Sequence, residues 1–122
     1  MSLNISNTVD NIINALKGSL EESWSTVSVF AEDQAKKLAN QAAMIAQARI
    51  LGSLKDDDDL FDFFIDQLKE MTANFAKGIA NLTLLTIEKA WNAIVGAVWG
   101  AINGTLSSAV LGPLPIPPAS GS

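Results

Sequence analysis

Six aspartates fall within eleven residues: Asp56, Asp57, Asp58, Asp59, Asp62 and Asp66. Carboxylates at that density offer the oxygen ligands that calcium prefers. Crowding also favours proton uptake, so the cluster could respond to acid. The calcium-loop pattern fails, because there is no turn glycine and no glutamate where the bidentate ligand belongs. The plainer expectation is a solvated helix start, where negative side chains meet the positive end of the helix dipole. A pH-sensitive acidic tip is the second expectation for these six residues.

Few other chemistries are open to this chain. Its 122 residues contain no histidine, cysteine or tyrosine, hence no imidazole base, thiolate nucleophile, phenol, disulfide or Cys/His metal site. Glu21/Glu22 and Asp62/Asp66 are the carboxylate pairs closest to an acid–base arrangement. Such spacings are ordinary on an exposed helix, and nothing singles out a serine or lysine as a nucleophile. No catalytic residue, cofactor, metal ion or small-molecule substrate is therefore expected. The formal charge of -5 also argues against a nucleic-acid partner, which calls for clustered Lys and Arg.

A different signal lies in small residues. Asn92, Gly96, Gly100, Gly104 and Ser108 recur every four residues, and Ala93, Ala97 and Ala101 widen the stripe they form. On a helix that spacing places them along one slowly drifting line, where another helix backbone can approach closely. Glycine inside a helix costs about 1 kcal/mol against alanine, so three at fixed spacing call for a reason. These eight residues are the expected helix-packing interface. Trp24, Phe61, Phe64, Phe75, Trp91 and Trp99 are the expected apolar assembly face.

The elements that must carry these residues read as helices. From Ile5 to Ile45, twelve apolar positions recur in eleven steps over forty residues, a spacing of about 3.6, which is helical and far from the period of two in a strand. Asn7 is the expected N-terminal cap. Gly18 is a soft point, yet the stripe continues in phase through Leu16, Leu20 and Trp24, so one continuous helix is expected over about 7–51. Gly52 and its neighbours form the break, with Gly52 expected as a left-handed cap. A second helix follows over about 58–111, apolar on all sides from Ile79 to Ile87 and therefore deeply buried there.

Together these give an all-α fold: a long antiparallel helical hairpin, roughly 65–80 Å in length at 1.5 Å per residue. Two helices cannot cover two wide apolar faces, so the hairpin is expected to be oligomeric. The competing architecture is a compact four-helix bundle, broken at Gly18 and near Gly78 or Gly96. Residues 112–122 form an expected Pro-rich tail, extended because proline cannot continue a helix. Its Gly112–Pro118 segment could dock in a neighbour's groove.

Charge distribution sharpens the functional expectation. All charged residues lie between Asp10 and Lys89, and Ala90 to Ser122 carry none. That end should pack against protein or enter lipid. The leading expectation is a structural, self-assembling protein, a subunit of a homo-oligomeric particle, tube, ribbon or layer, with itself as partner. One alternative is a membrane-active, pore-forming or holin-like protein whose 90–111 helix oligomerises in lipid. The other is a helical adaptor for a protein partner. Residues 1–10 lack a basic segment followed by an apolar core, so a cytoplasmic location or export by a non-standard route is expected. Three Asn-x-Ser/Thr triplets, at Asn4, Asn81 and Asn103, are read as chance matches.

Overall fold

The computed structural model describes residues 3–52, 54–109, 111 and 114–117. The chain is all-helical: α1 (Ile5–Leu20), a single 3-10 turn (Glu21–Ser23), α2 (Trp24–Leu51), α3 (Asp58–Leu82) and α4 (Ile87–Ser108). Each of the two long helices expected from periodicity is thus interrupted once. Among the described residues there are four α-helices in place of a two-helix hairpin.

The first interruption is a corner at Glu21, three residues beyond Gly18. Glu21 adopts φ 52°, ψ -117°, a conformation that an L side chain tolerates poorly and glycine accepts readily. Its backbone N–H donates to the Lys17 carbonyl and closes α1. Burial explains why the corner forms despite its strain. Folding α1 back onto α2 encloses Ile12, Leu16, Leu20 and Val27. Each such side chain contributes about 1.5–3 kcal/mol when fully buried, whereas one strained residue costs on the order of 1–3 kcal/mol. A straight helix through Leu51 would leave those side chains wet.

The second interruption falls in 83–86, where an all-round apolar helix was expected. The threonines make it. The Thr83 hydroxyl donates to the Ile79 carbonyl at 2.8 Å and accepts from the Leu85 N–H at 3.2 Å. Thr86 then caps α4 by accepting from the Lys89 N–H at 3.2 Å. Hydroxyls that satisfy local backbone groups offer an alternative to continued helix. The cost is visible at Leu84, which is 100% exposed, and at half-exposed Leu82.

Elsewhere the caps follow local chemistry. Asn4, not Asn7, caps α1, its side chain accepting from the Asn7 N–H at 2.9 Å. Gly52 closes α2 with φ -115°, so it is not the expected left-handed cap. Its value is closeness, because a Cβ there would lie 3.1 Å from the Ala48 Cα.

The helices pack in ring order, α1 beside α2 and α4, and α3 beside α2 and α4. Phe30 meets Phe75 edge-on at 5.8 Å, while Arg49 lies over Phe61 at 4.4 Å, so α2 and α3 run in opposite directions. Across the middle, α2 also approaches α4 closely, whereas α1 and α3 make no such approach among the described residues. Composition accounts for the difference. The buried face of α2 includes Ala31, Ala35, Ala39, Ala42 and Ala46, which let a second backbone come near. Opposite them, α4 buries Ile94, Val95, Val98, Trp99 and Ile102. The fully buried Trp99 carries an indole N–H with no hydrogen-bond partner among the described residues.

Candidate functional site: the small-residue face of α4

α4 turns its bulky residues inward and its small ones outward. Asn92, Gly96, Gly100, Gly104 and Ser108 are all exposed, and Ala93, Ala97 and Ala101 are half-buried beside them. A Cβ built at Gly96, Gly100 or Gly104 would meet nothing within 4 Å. No helix among the described residues therefore uses the close approach those glycines permit. Gly78 provides the contrast, because a Cβ there would press into the Phe30 ring, 2.7 Å from Cε2.

The stripe forms one side of a groove of about 760 Å³ between α4 and α1. The opposite side is built from Leu3, the cap residue Asn4, and Asn7, Thr8, Asn11 and Ala15 of α1, so the lining is amide, hydroxyl, aliphatic side chain and glycine backbone. Among the described residues no ionisable side chain lines it. The groove can form hydrogen bonds through its amides and the Thr8, Thr105 and Ser108 hydroxyls, and close van der Waals contacts along its glycines. From Asn92 to Ser108 the stripe is about 24 Å long at 1.5 Å per residue, enough to receive more than four turns of a helix. A second groove, of about 640 Å³ between α1 and α2, is edged by Asp10, Glu32 and Lys36.

The aromatic residues expected to face other molecules are placed differently. Phe61, Phe75, Trp91 and Trp99 are buried in the chain's own core, and Phe64 and Trp24 are half-buried against it. Lys17 lies over the Trp24 ring at 5.4 Å. The expected apolar assembly face is thus consumed by intramolecular packing. Folding into four helices covers these aromatic side chains, which a two-helix hairpin would leave wet, and keeps Leu51, Phe63, Leu82 and Leu84 among the apolar residues at the surface.

The acidic residues lie where α3 begins. Asp57 caps the helix, its Oδ1 accepting from the Leu60 N–H at 3.0 Å. Asp58 pairs with Arg49 at 2.9 Å, and Asp66 with Lys69 at 3.8 Å. Asp56, Asp59 and Asp62 are exposed. Among the described residues, no three acidic side chains come together in a way that could hold a metal ion. The arrangement is that of a dipole-favoured helix start.

Arg49 and Asn103 organise the periphery. Arg49, the chain's one arginine, spans the α2–α3 turn: it donates to the Leu54 carbonyl at 2.9 Å, pairs with Asp58 and stacks on Phe61. Its position near a helix end was legible; its three cross-turn contacts were not. Asn103 holds the tail. Its Oδ1 accepts from the Leu114 N–H at 2.7 Å and its Nδ2 donates to the Leu114 carbonyl at 3.0 Å. The Trp91 indole donates to the Pro117 carbonyl at 3.2 Å. Residues 114–117 are neither helix nor strand, and they lie along their own α4. The remaining expectations for the tail, at Gly112, Pro113, Pro118 and 119–122, lie outside the described residues.

Among the described residues no helix is long and apolar enough to cross a membrane. α4, the helix expected to oligomerise in lipid, is among those that fall short. The polar dilution of α4 by asparagine, serine, threonine and glycine is the physical reason. Comparison of the chain with protein-family models, curated proteins and solved structures finds no match in any of the three.

Proposed function

We propose that the chain is a non-catalytic structural protein that associates with itself through the small-residue face of α4. The observation that carries this reading is the set of three exposed glycines at helical spacing, with no neighbour within 4 Å. Against alanine they cost about 1 kcal/mol each, and the fold makes no use of them. A second backbone docked on the stripe would make use of them.

The stripe itself suggests the partner. Asn92, Gly96, Gly100, Gly104 and Ser108 are spaced symmetrically about Gly100. In an antiparallel pair of α4 helices, Gly100 faces Gly100, Gly96 faces Gly104, and Asn92 can hydrogen-bond with Ser108. A self-complementary patch of this kind fits a two-fold dimer. The uncharged lining of the groove means that no like charges meet when two copies come together. A two-fold contact closes on itself, so a ribbon, tube or layer requires a second surface. Leu51, Leu60 and Phe63 at one end of the bundle, and Leu82 and Leu84 at the other, are exposed apolar side chains available for it.

The absence of native cysteine allows a direct test of register. Under mild oxidation, Gly100→Cys should cross-link to itself. Gly96→Cys and Gly104→Cys should each stay uncross-linked alone and cross-link when mixed. Self-linking of Gly96→Cys together with self-linking of Gly104→Cys would indicate parallel pairing. Absence of any specific cross-link would remove the reading altogether.

A further inference from the structure

The tail of this chain is held as a peptide ligand is held. Of the four residues 114–117, Pro115 and Pro117 have no N–H, so Leu114 and Ile116 supply all the donors the segment has. Asn103 takes both the N–H and the carbonyl of Leu114, as a neighbouring strand would, at 2.7 and 3.0 Å. Twelve residues earlier on the same helix, the Trp91 indole takes the Pro117 carbonyl at 3.2 Å. Between these anchors Leu114 packs against the core and Ile116 faces solvent, 59% exposed. An aromatic donor combined with an amide clamp is suited to proline-rich extended segments, which are already stiff and lose little entropy when bound.

We propose that the Trp91–Asn103 face of α4 is a recognition site for an extended Leu-Pro-x-Pro segment, filled here by the chain's own residues 114–117 and open in trans to the same tail of a second copy. The three bonds bridge 11 or 26 residues in sequence, and each is made by a side chain on α4. None of them requires the tail to remain joined to the helix that holds it. Exchange between copies therefore preserves every contact and only redirects the segment between Ser108 and Leu114. In dilute protein the tethered tail wins through its high effective concentration. At high protein concentration, tails from other copies compete with it. This site is separate from the glycine stripe, and its test is run in a Gly100→Leu background so that stripe docking does not contribute.

Leu114→Asp in that background should release the tail, seen by NMR as a shift of the Trp91 indole N–H, with Trp24 and Trp99 as internal references. A synthetic peptide of residues 111–117 (Leu-Gly-Pro-Leu-Pro-Ile-Pro) should restore the Trp91 signal. A scrambled peptide of the same composition should not. Adding Asn103→Ala, which removes two hydrogen bonds, should weaken peptide binding about thirtyfold. For exchange between copies, the Leu114→Asp chain, with an intact site, is mixed with an Asn103→Ala chain, with an intact tail. The mixture should form a 1:1 complex at high concentration, while neither chain alone associates. Circular dichroism checks that both variants keep their helices, and Leu114→Ser replaces Leu114→Asp if the latter does not. The proposal is overturned if the peptide leaves the Trp91 signal unmoved at millimolar concentration, or if the scrambled peptide binds equally. Peptide binding without a complex in the mixture would confine the site to its own chain and overturn the exchange.

Discussion

Replacing Gly96, Gly100 and Gly104 together by alanine should stabilise the folded chain. Each position is exposed on α4, and a Cβ built there meets nothing within 4 Å, so no steric penalty offsets the gain in helix propensity. That gain is about 1 kcal/mol per glycine, or roughly 3 kcal/mol for the three. For a domain of this size, 1 kcal/mol corresponds to roughly 4 °C, so the melting temperature of the triple variant should rise by on the order of 10 °C. Gly78→Ala is the matched control. It gains the same propensity, but its methyl group collides with the Phe30 ring, which is packed edge-on against the buried Phe75. Overpacking of that kind costs about 1–3 kcal/mol, leaving Gly78→Ala neutral to destabilised by ~2 kcal/mol. The assay is urea unfolding followed by circular dichroism, at concentrations low enough to keep the chain monomeric. If the triple variant is less stable than wild type, or if Gly78→Ala gains as much as each stripe position, the stripe is not free of intramolecular packing and the reasoning fails.

Other positions give independent checks. Glu21→Gly should raise stability by about 1 kcal/mol, since glycine accepts the positive φ that Glu21 adopts; a loss on urea unfolding would mean that the corner has a different conformation. Arg49→Ala should cost roughly 1–2 kcal/mol. Most of that comes from the hydrogen bond to Leu54 and the stacking on Phe61, because Asp58 is largely exposed and its pair with Arg49 contributes little. Asp58→Asn should accordingly change the unfolding midpoint far less than Arg49→Ala, and a larger effect would reverse that assignment.

Helical character was legible in the sequence because apolar spacing near 3.6 residues persists over long stretches. The two corners were not, and for a definite reason. Leu16, Leu20 and Trp24 keep helical phase across Glu21, so periodicity registers no break although the chain folds back there. At 83–86 the run Leu82, Leu84, Leu85 and Ile87 outweighed Thr83 and Thr86, whose hydroxyls cap the helix ends. Treating two threonines three residues apart as a stop and a start would have placed the second corner.

The small-residue stripe was legible as a line on one helix face; its exposure was not, because outward placement depends on which side of α4 the other three helices cover. The aromatic residues were misplaced by the same error of architecture. With only two helices, Phe61, Phe75, Trp91 and Trp99 had no cover, whereas four helices enclose them. Asn103 was out of reach of sequence reasoning, since nothing in the residues near it signals a contact with Leu114.

The central claim is that a second copy docks on the face of α4 marked by Gly96, Gly100 and Gly104. Sedimentation velocity of the wild-type chain and of Gly100→Leu, over a wide concentration range without detergent, tests it most directly. A leucine at this exposed helical position leaves the monomer intact but obstructs close approach. The account predicts concentration-dependent association of wild type to at least twice the chain mass, and a monomer for Gly100→Leu with unchanged helix content. A wild-type chain that stays monomeric at every concentration, or a Gly100→Leu chain that associates as wild type does, would contradict it.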